Sequence, residues 1–215
     1  MTIPVSLLNW QMLVTHFLLN SFTGSGDDGL HMYKGAYKEK FQKRLSIYYP
    51  SLKELIGEKR WLEEIAFPYL QANPPQAIVH DWACQLTEWL NQEYKHNLSP
   101  LFIPLANLET LINKTFLSPS LPPPAIEELD KGRFQLQPHF HFLSSEYPLL
   151  KYRRMILEGL TQFDIQKGDT CWIAMYQNQS GDVLLSEIDP DEKQFIEHSK
   201  RGLWKRPFLF WRSTN

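Results

Sequence analysis

The segment from Lys43 to Pro75, KRLSIYYPSLKELIGEKRWLEEIAFPYLQANPP, constrains the fold more than any other part of the chain. Its stops come too close together for one long helix. Pro50 disfavours helical geometry at Tyr49, so a helix arriving from Lys43 should end there. Ser51 and Glu54 have capping-box spacing, and Gly57 offers a left-handed stop after the small apolar face of Leu52, Leu55 and Ile56. Trp61, Ile65 and Tyr69 then repeat at helical spacing until Pro74-Pro75 ends the run. Pro68 sits inside that repeat. A proline there removes one hydrogen bond and crowds the preceding turn, which predicts a bend or break near Phe67.

The same reading extends the helices in both directions. Leu7, Trp10, Val14 and Phe17 mark an amphipathic helix from about Val5 to Phe22, followed by the connector TGSGDDG. Tyr33, Tyr37, Phe41, Leu45 and Tyr48 share one face of a second helix. Val79, Trp82, Leu86 and Trp89 predict another, and Ser99-Pro100 opens a last one carrying Leu101, Leu105, Leu108 and Ile112. Residues 1–117 thus read as an all-helical domain. Ser118 to Pro124, SPSLPPP, reads as a stiff extended linker and a domain boundary.

Beyond it the periodicity changes to two. Phe134, Leu136, Phe140 and Phe142 alternate with polar residues. Tyr147-Pro148 leads into a helix with Leu150, Ile156, Leu157 and Leu160. CWIAMY (Cys171 to Tyr176) and DVLLSEI (Asp182 to Ile188) read as a strand pair around a turn at Asn178 to Gly181. Asp189-Pro190-Asp191-Glu192 is a helix start with cap, proline and capping-box Glu. The expected fold is mainly α: an N-terminal helical domain, then a small α+β domain over 125–215 with a short antiparallel sheet.

Composition narrows the function classes. The net charge is -2, and neither half is basic: residues 1–118 hold 10 Lys/Arg against 11 Asp/Glu, and 119–215 hold 12 against 13. A general affinity for nucleic acid or membrane is not expected. The two cysteines, Cys84 and Cys171, lie far apart in different element types, which suits a reducing cytoplasm better than a disulfide framework. The first twenty residues lack a basic leader and a small-residue cleavage site, and no run approaches the length of a membrane span.

No nucleophile, metal-ligand or phosphate-loop motif occurs, so no catalytic or metal-binding residue is assigned. His139 and His141 would share a strand face, but no third ligand accompanies them, and two histidines on a wetter face is the simpler reading. His80 and Cys84 lie one helical turn apart without further ligands. Glu63-Glu64, Glu127-Glu128 and Asp191-Glu192 fall in or near helix first turns, where they favour the positive helix end. The more informative segment is RGLWKRPFLFWRS, Arg201 to Ser213. It interleaves Arg201, Lys205, Arg206 and Arg212 with Trp204, Phe208, Phe210 and Trp211. It suits either a final strand on the protein's own sheet or a docking element, since Trp and Arg are enriched at interface hot spots.

Three stretches carry a family resemblance. RLSIYYPSLKELIGEKRWLEEIAFPYLQANPP resembles the N-terminal helical domain of a bacterial family that carries an older DNA-binding label. LANLETLINKTF (Leu105 to Phe116) is similar to that family's Leu-Ala-x-Leu-Glu helix, and FLSSEYPLL (Phe142 to Leu150) to the Ser-x-Tyr-Pro entry of its second domain. Members are partner proteins of multinuclear-iron oxidases that modify cysteines of ribosomally made peptides, with methanobactin biosynthesis the best-known setting. The resemblance implies a non-catalytic subunit of a heterodimer, with no cofactor of its own and with the iron in the partner. There a precursor-peptide cysteine is oxidised with dioxygen to an oxazolone and an adjacent thioamide. It also implies a leader peptide held as an added strand, along Cys171, Trp172, Ile173 and Ala174 or along Val183, Leu184 and Leu185. Trp204, Arg206, Phe208, Phe210, Trp211 and Arg212 are the expected partner contacts. The rival reading, a DNA-binding regulator, would need a basic recognition helix that neither half supplies.

Overall fold

The computed structural model describes residues 28–75, 79–93, 99–121 and 136–200. The expected helix at Val5 to Phe22, the linker residues Pro122 to Pro124 and the segment from Arg201 onward lie outside the described residues. So do Phe134 and the pair Glu127-Glu128. The described chain is mostly helical, with a three-stranded antiparallel sheet.

It falls into two compact units that do not follow chain order. One comprises Met1–Thr110 with Leu149–Gln166, the other Leu111–Pro148 with Lys167–Asn215. A division at Ser118 to Pro124 would have placed the helix after Tyr147-Pro148 in the second unit. Instead that helix groups with the first, for a reason that a single buried carboxylate makes clear.

The first unit contains α1 (Asp28–Tyr48), α2 (Pro50–Ile56), α3 (Glu58–Arg60), a π-helical turn (Trp61–Ala66), α4 (Phe67–Ala72), α5 (Val79–Cys84) and α6 (Leu86–Glu93). It also holds the start of α7 (Phe102–Leu117) and, after β1, all of α8 (Leu149–Leu157). The stops act largely as the sequence predicts. α1 ends before Pro50, and Gly57 takes φ +82° between α2 and α3, a conformation that side chains with a Cβ resist. Pro68 does not break the helix. The Phe67 N–H bonds to the Leu62 carbonyl five residues back, and the wider π turn lets a residue without an N–H follow. α8 stops at Leu157, short of the expected Leu160, because Gly159 turns left-handed at φ +87°. The expected helix through Val79 and Trp89 is interrupted at Gln85.

Leu45, Tyr49, Leu52, Trp61, Ile65, Tyr69, Trp82, Leu86, Leu90 and Leu105 form the buried core of this unit. Its large aromatics bring polar tips inside, and each tip is satisfied. Tyr49 Oη donates to the Ala83 carbonyl (2.8 Å) and lies 2.9 Å from Thr110 Oγ1, itself 2.7 Å from Thr87 Oγ1. Trp82 Nε1 donates to the Asn73 carbonyl at 2.6 Å, Tyr69 Oη donates to the Trp82 carbonyl, and Trp61 Nε1 donates to Ser46 Oγ at 2.8 Å.

Glu109 is the one acidic side chain among the buried residues described, at 1% exposure. Its Oε1 accepts the Ser51 backbone N–H at 3.0 Å, and Arg153 Nε of α8 approaches to 3.5 Å. Ser51 therefore does not cap α2 with its own side chain, as capping-box spacing suggested. Tyr49 occupies the cap position without a side-chain bond, and a carboxylate from α7 takes the helix N-terminus instead. The same carboxylate faces Arg153, while Leu149, Tyr152 and Ile156 are buried on α8. Desolvation outweighs these contacts and pushes the Glu109 carboxyl up to about 7.

That direction fixes a pH dependence. A carboxyl whose folded pKa exceeds its unfolded value adds stability below the unfolded value, and loses it as pH rises through the folded one. From an ordinary 4.5 to about 7 the loss is on the order of 3 kcal/mol. Glu109→Gln, which cannot ionise, should lack this part of the slope, so its stability relative to the native chain should rise between pH 5 and 8 in urea unfolding. Parallel curves would refute the assignment. Glu109→Ala should cost about 2–4 kcal/mol at pH 5, because it leaves the buried Ser51 N–H without its acceptor and the half-buried Arg153 without its carboxylate, and that cost should shrink as pH rises toward 8.

Candidate functional site

The second unit is built on the sheet. β1 (His141–Ser145), β2 (Cys171–Gln177) and β3 (Val183–Ile188) lie in the order β1-β2-β3, all antiparallel, and α9 (Pro190–Lys200) follows β3. β2 is central. It pairs with β1 from His141↔Met175 to Ser145↔Cys171, and with β3 from Trp172↔Ile188 to Gln177↔Val183. The expectation that Cys171, Trp172, Ile173 and Ala174 could form a free edge is therefore wrong. Their main-chain groups are shared between two neighbours, and Ile173, Ala174 and Met175 are core. Cys171 Sγ points to the carbonyls of Ser145 and Tyr147, at 3.4 and 3.3 Å.

Among the described residues β3 pairs only with β2, which leaves its other side as an edge. The turn fixes which groups face outward. Asn178 N–H donates to the Asp182 carbonyl at 2.9 Å, so Asn178 and Asp182 form a hydrogen-bonded pair. Alternation along the ladder then turns Leu184, Ser186 and Ile188 toward β2 through their main chain. Val183, Leu185 and Glu187 direct their N–H and C=O groups away from it. The turn is held by Asn178 Oδ1, which accepts the Ser180 and Asp182 N–H groups at 2.9 and 2.8 Å, and by Gly181 at φ +85°.

The end of β3 is equally well defined. Asp189 Oδ1 accepts the Glu192 N–H at 2.8 Å and Glu192 Oε2 accepts the Asp189 N–H at 3.0 Å, the reciprocal capping box that the sequence predicts. Lys193 of α9 lies 5.3 Å from the Trp172 ring centroid and 3.2 Å from Glu197. At the hairpin end, Gln177 Nε2 donates to the Thr115 and Phe116 carbonyls (2.8 and 2.9 Å) at the C-terminus of α7.

The titratable candidates resolve into structural contacts. His139 is buried in the turn before β1, where its Nδ1 accepts the Gln177 N–H at 3.1 Å, so it does not alternate with His141 along a strand. His80 lies beside Cys84, with Sγ 3.8 Å from Nδ1 and 3.7 Å from Nε2, and its Nδ1 is 3.3 Å from Tyr48 Oη. The near-equal distances mean that neither ring nitrogen aims at the sulfur. Glu64 accepts two bonds from Arg60 at 2.8 and 2.9 Å. Among the described residues no three His, Cys, Asp or Glu side chains are grouped to hold a metal ion, and no helix is long and apolar enough to cross a membrane. Trp204, Arg206, Phe208, Phe210, Trp211 and Arg212 lie outside the described residues. The features that sequence reading missed are Glu109 and the outward register of β3; the hairpin pairing set by Asn178 and Asp182 is the signal from which that register follows.

The register makes a sharp prediction. Proline at Leu185 removes only an outward N–H and should leave the sheet folded, whereas proline at Leu184 removes a ladder bond to β2 and should unfold the hairpin. Thermal unfolding followed by near-UV circular dichroism distinguishes them, and equal destabilisation would refute the assigned register. Comparison with models of known protein families and with curated proteins finds no match to this chain.

Proposed function

We propose that this chain is the non-catalytic partner subunit of an iron- and dioxygen-dependent oxidase. That oxidase converts cysteines of a ribosomally made precursor peptide to oxazolone and thioamide groups, as in methanobactin-type biosynthesis. The chain binds the leader peptide and completes the heterodimer, in the cytoplasm, and the iron belongs to the other subunit.

One observation carries the reading. Two of the three stretches that resemble the partner family meet at Glu109, and the third leads into the helix that faces it. Tyr49-Pro50-Ser51 supplies the N–H that Glu109 accepts, LANLE supplies Glu109, and FLSSEYPLL opens the helix that brings Arg153 to it. Two likenesses far apart in sequence are thus in direct contact, and the helix that follows the third carries the arginine facing them. The leader peptide pairs along the outer side of β3 at Val183, Leu184 and Leu185, a reading supported by the edge position of that strand among the described residues, where main-chain pairing would supply affinity without a dedicated pocket. The segment Leu203 to Arg212 docks on the iron subunit, with Trp204, Phe208, Phe210 and Trp211 as anchors and Arg206 and Arg212 meeting carboxylates there.

Co-expression with the candidate iron oxidase and its precursor peptide tests this. A stoichiometric heterodimer with peptide turnover is expected, and Trp204→Ala or Trp211→Ala should each weaken subunit binding by about 2 kcal/mol or more. Truncation after Gly202 should leave the isolated chain folded and abolish the heterodimer. A truncated chain that still co-purifies at full stoichiometry and supports turnover would refute the docking role. Turnover by the iron subunit without this chain would refute the partner role.

A further inference from the structure

Sheet edges in natural proteins are commonly defended by a lysine, a proline or a bulge, because unpaired main-chain groups invite another strand. β3 has none of these. Its pairing with β2 is unbroken from Val183 to Ile188, it contains no Lys, Arg or Pro, and Leu184 is 40% exposed. The outward N–H and C=O groups belong to Val183, Leu185 and Glu187, three alternate residues and hence a pairing length of five.

The charges on this edge are all of one sign. Between Asp182 and Glu192 there are five carboxylates, Asp182, Glu187, Asp189, Asp191 and Glu192, and no Lys or Arg. Asp189 and Glu192 are committed to capping α9, and Asp182 Oδ2 accepts a bond from Asn178 Nδ2 at 3.0 Å. Glu187 is the one charged side chain within β3, and it is exposed. An antiparallel pair of two β3 strands centred on Leu185 would set Glu187 opposite Val183 and bring Asp182 of each copy diagonally beside Glu187 and Asp189 of the other, which gathers like charges at both ends and opposes association. A strand with cations at those positions is favoured instead.

We propose that the outer edge of β3 takes an extended basic peptide, with a Lys or Arg opposite Glu187 and apolar side chains beside Leu184 and Leu185. The proposal rests on the reading of this edge as the leader-peptide site and adds the chemical class that the edge selects. Each cross-strand pair of opposite charge is worth about a two- to fivefold gain in affinity, and replacing it by like charges reverses the gain. Selection between a basic and an acidic strand of the same apolar pattern should therefore reach about tenfold.

Fluorescence anisotropy of the full chain with two labelled synthetic ten-residue peptides tests it, one alternating Val with Lys and one alternating Val with Glu. The Lys peptide should bind about tenfold tighter. Glu187→Lys should remove or reverse that preference, and Glu187→Gln should reduce it, with unfolding midpoints unchanged for both. Leu185→Pro should weaken whichever peptide binds. If both peptides bind equally and Leu185→Pro weakens both, the charge selection is wrong and the strand-addition reading stands. If neither binds, or Leu185→Pro has no effect, the strand-addition reading itself is wrong. Hydrogen exchange supplies a further check. Amides of Val183, Leu185 and Glu187 should exchange rapidly in the free chain, and protection equal to that of Ile173 would mean that the chain covers its own edge, overturning the proposal.

Discussion

The Glu109 carboxylate is the interaction on which the helical unit depends. A helix that begins at Pro50 has donors at its N-terminus with no partners inside the helix, and the residue before a proline has little conformational freedom to supply one. Here the acceptor comes from α7, 58 residues later in the chain, and Arg153 of α8 faces the same oxygen. A buried charge of this kind is costly alone, so removing any one member exposes the cost of the others. The raised carboxyl pKa measures that tension. Desolvation is the largest influence on Glu109, and the contacts with Ser51, Leu52 and Arg153 offset only part of it. The cluster therefore fixes which helices pack together more than it adds net stability.

The aromatic core shows the complementary solution. Trp61, Trp82, Tyr49 and Tyr69 are the largest fully buried side chains among the described residues, and each hands its polar atom to a backbone carbonyl or a hydroxyl. Burial raises the pKa of both tyrosines, so they remain neutral donors at any physiological pH. The π turn before Pro68 belongs to the same logic. Trp61 and Ile65 stay buried on its inner side, and the irregularity needed to admit the proline is absorbed without breaking the face that carries Tyr69.

In the second unit a short sheet has β3, a strand without Lys, Arg or Pro, at one edge among the described residues. The central strand holds the apolar residues, and the flanking contacts are polar and local: Gln177 on the α7 carbonyls, His139 on the Gln177 amide, and the reciprocal cap of Asp189 and Glu192. These contacts fix where β3 begins and ends, and so which main-chain groups face outward. A surface that recognises by backbone pairing needs that precision of register more than it needs a pocket.

Local chemistry in the sequence determined much of this protein. Tyr-Pro at 49–50 and the freedom of Gly57 set helix ends, Asn178 to Asp182 set a hairpin, and Asp189 to Glu192 set a helix start, because each acts within a few residues. The mainly helical fold with a small antiparallel sheet follows from the change in apolar period after Leu117. Tertiary structure decided what depends on distant partners. Ser51 and Glu54 have the spacing of a cap, yet a remote carboxylate wins the N-terminus because it also meets Arg153. The helix at Leu149 to Leu157 carries an apolar face that local sequence cannot assign to a unit, and its burial beside α2 decides it. CWIAMY and DVLLSEI both read as strands around one turn, and that local reading leaves either of them able to form an edge. Only the pairing of β1 on the far side of Cys171–Gln177 leaves Val183–Ile188 outermost among the described residues, and no short-range pattern encodes which of two strands a third will join.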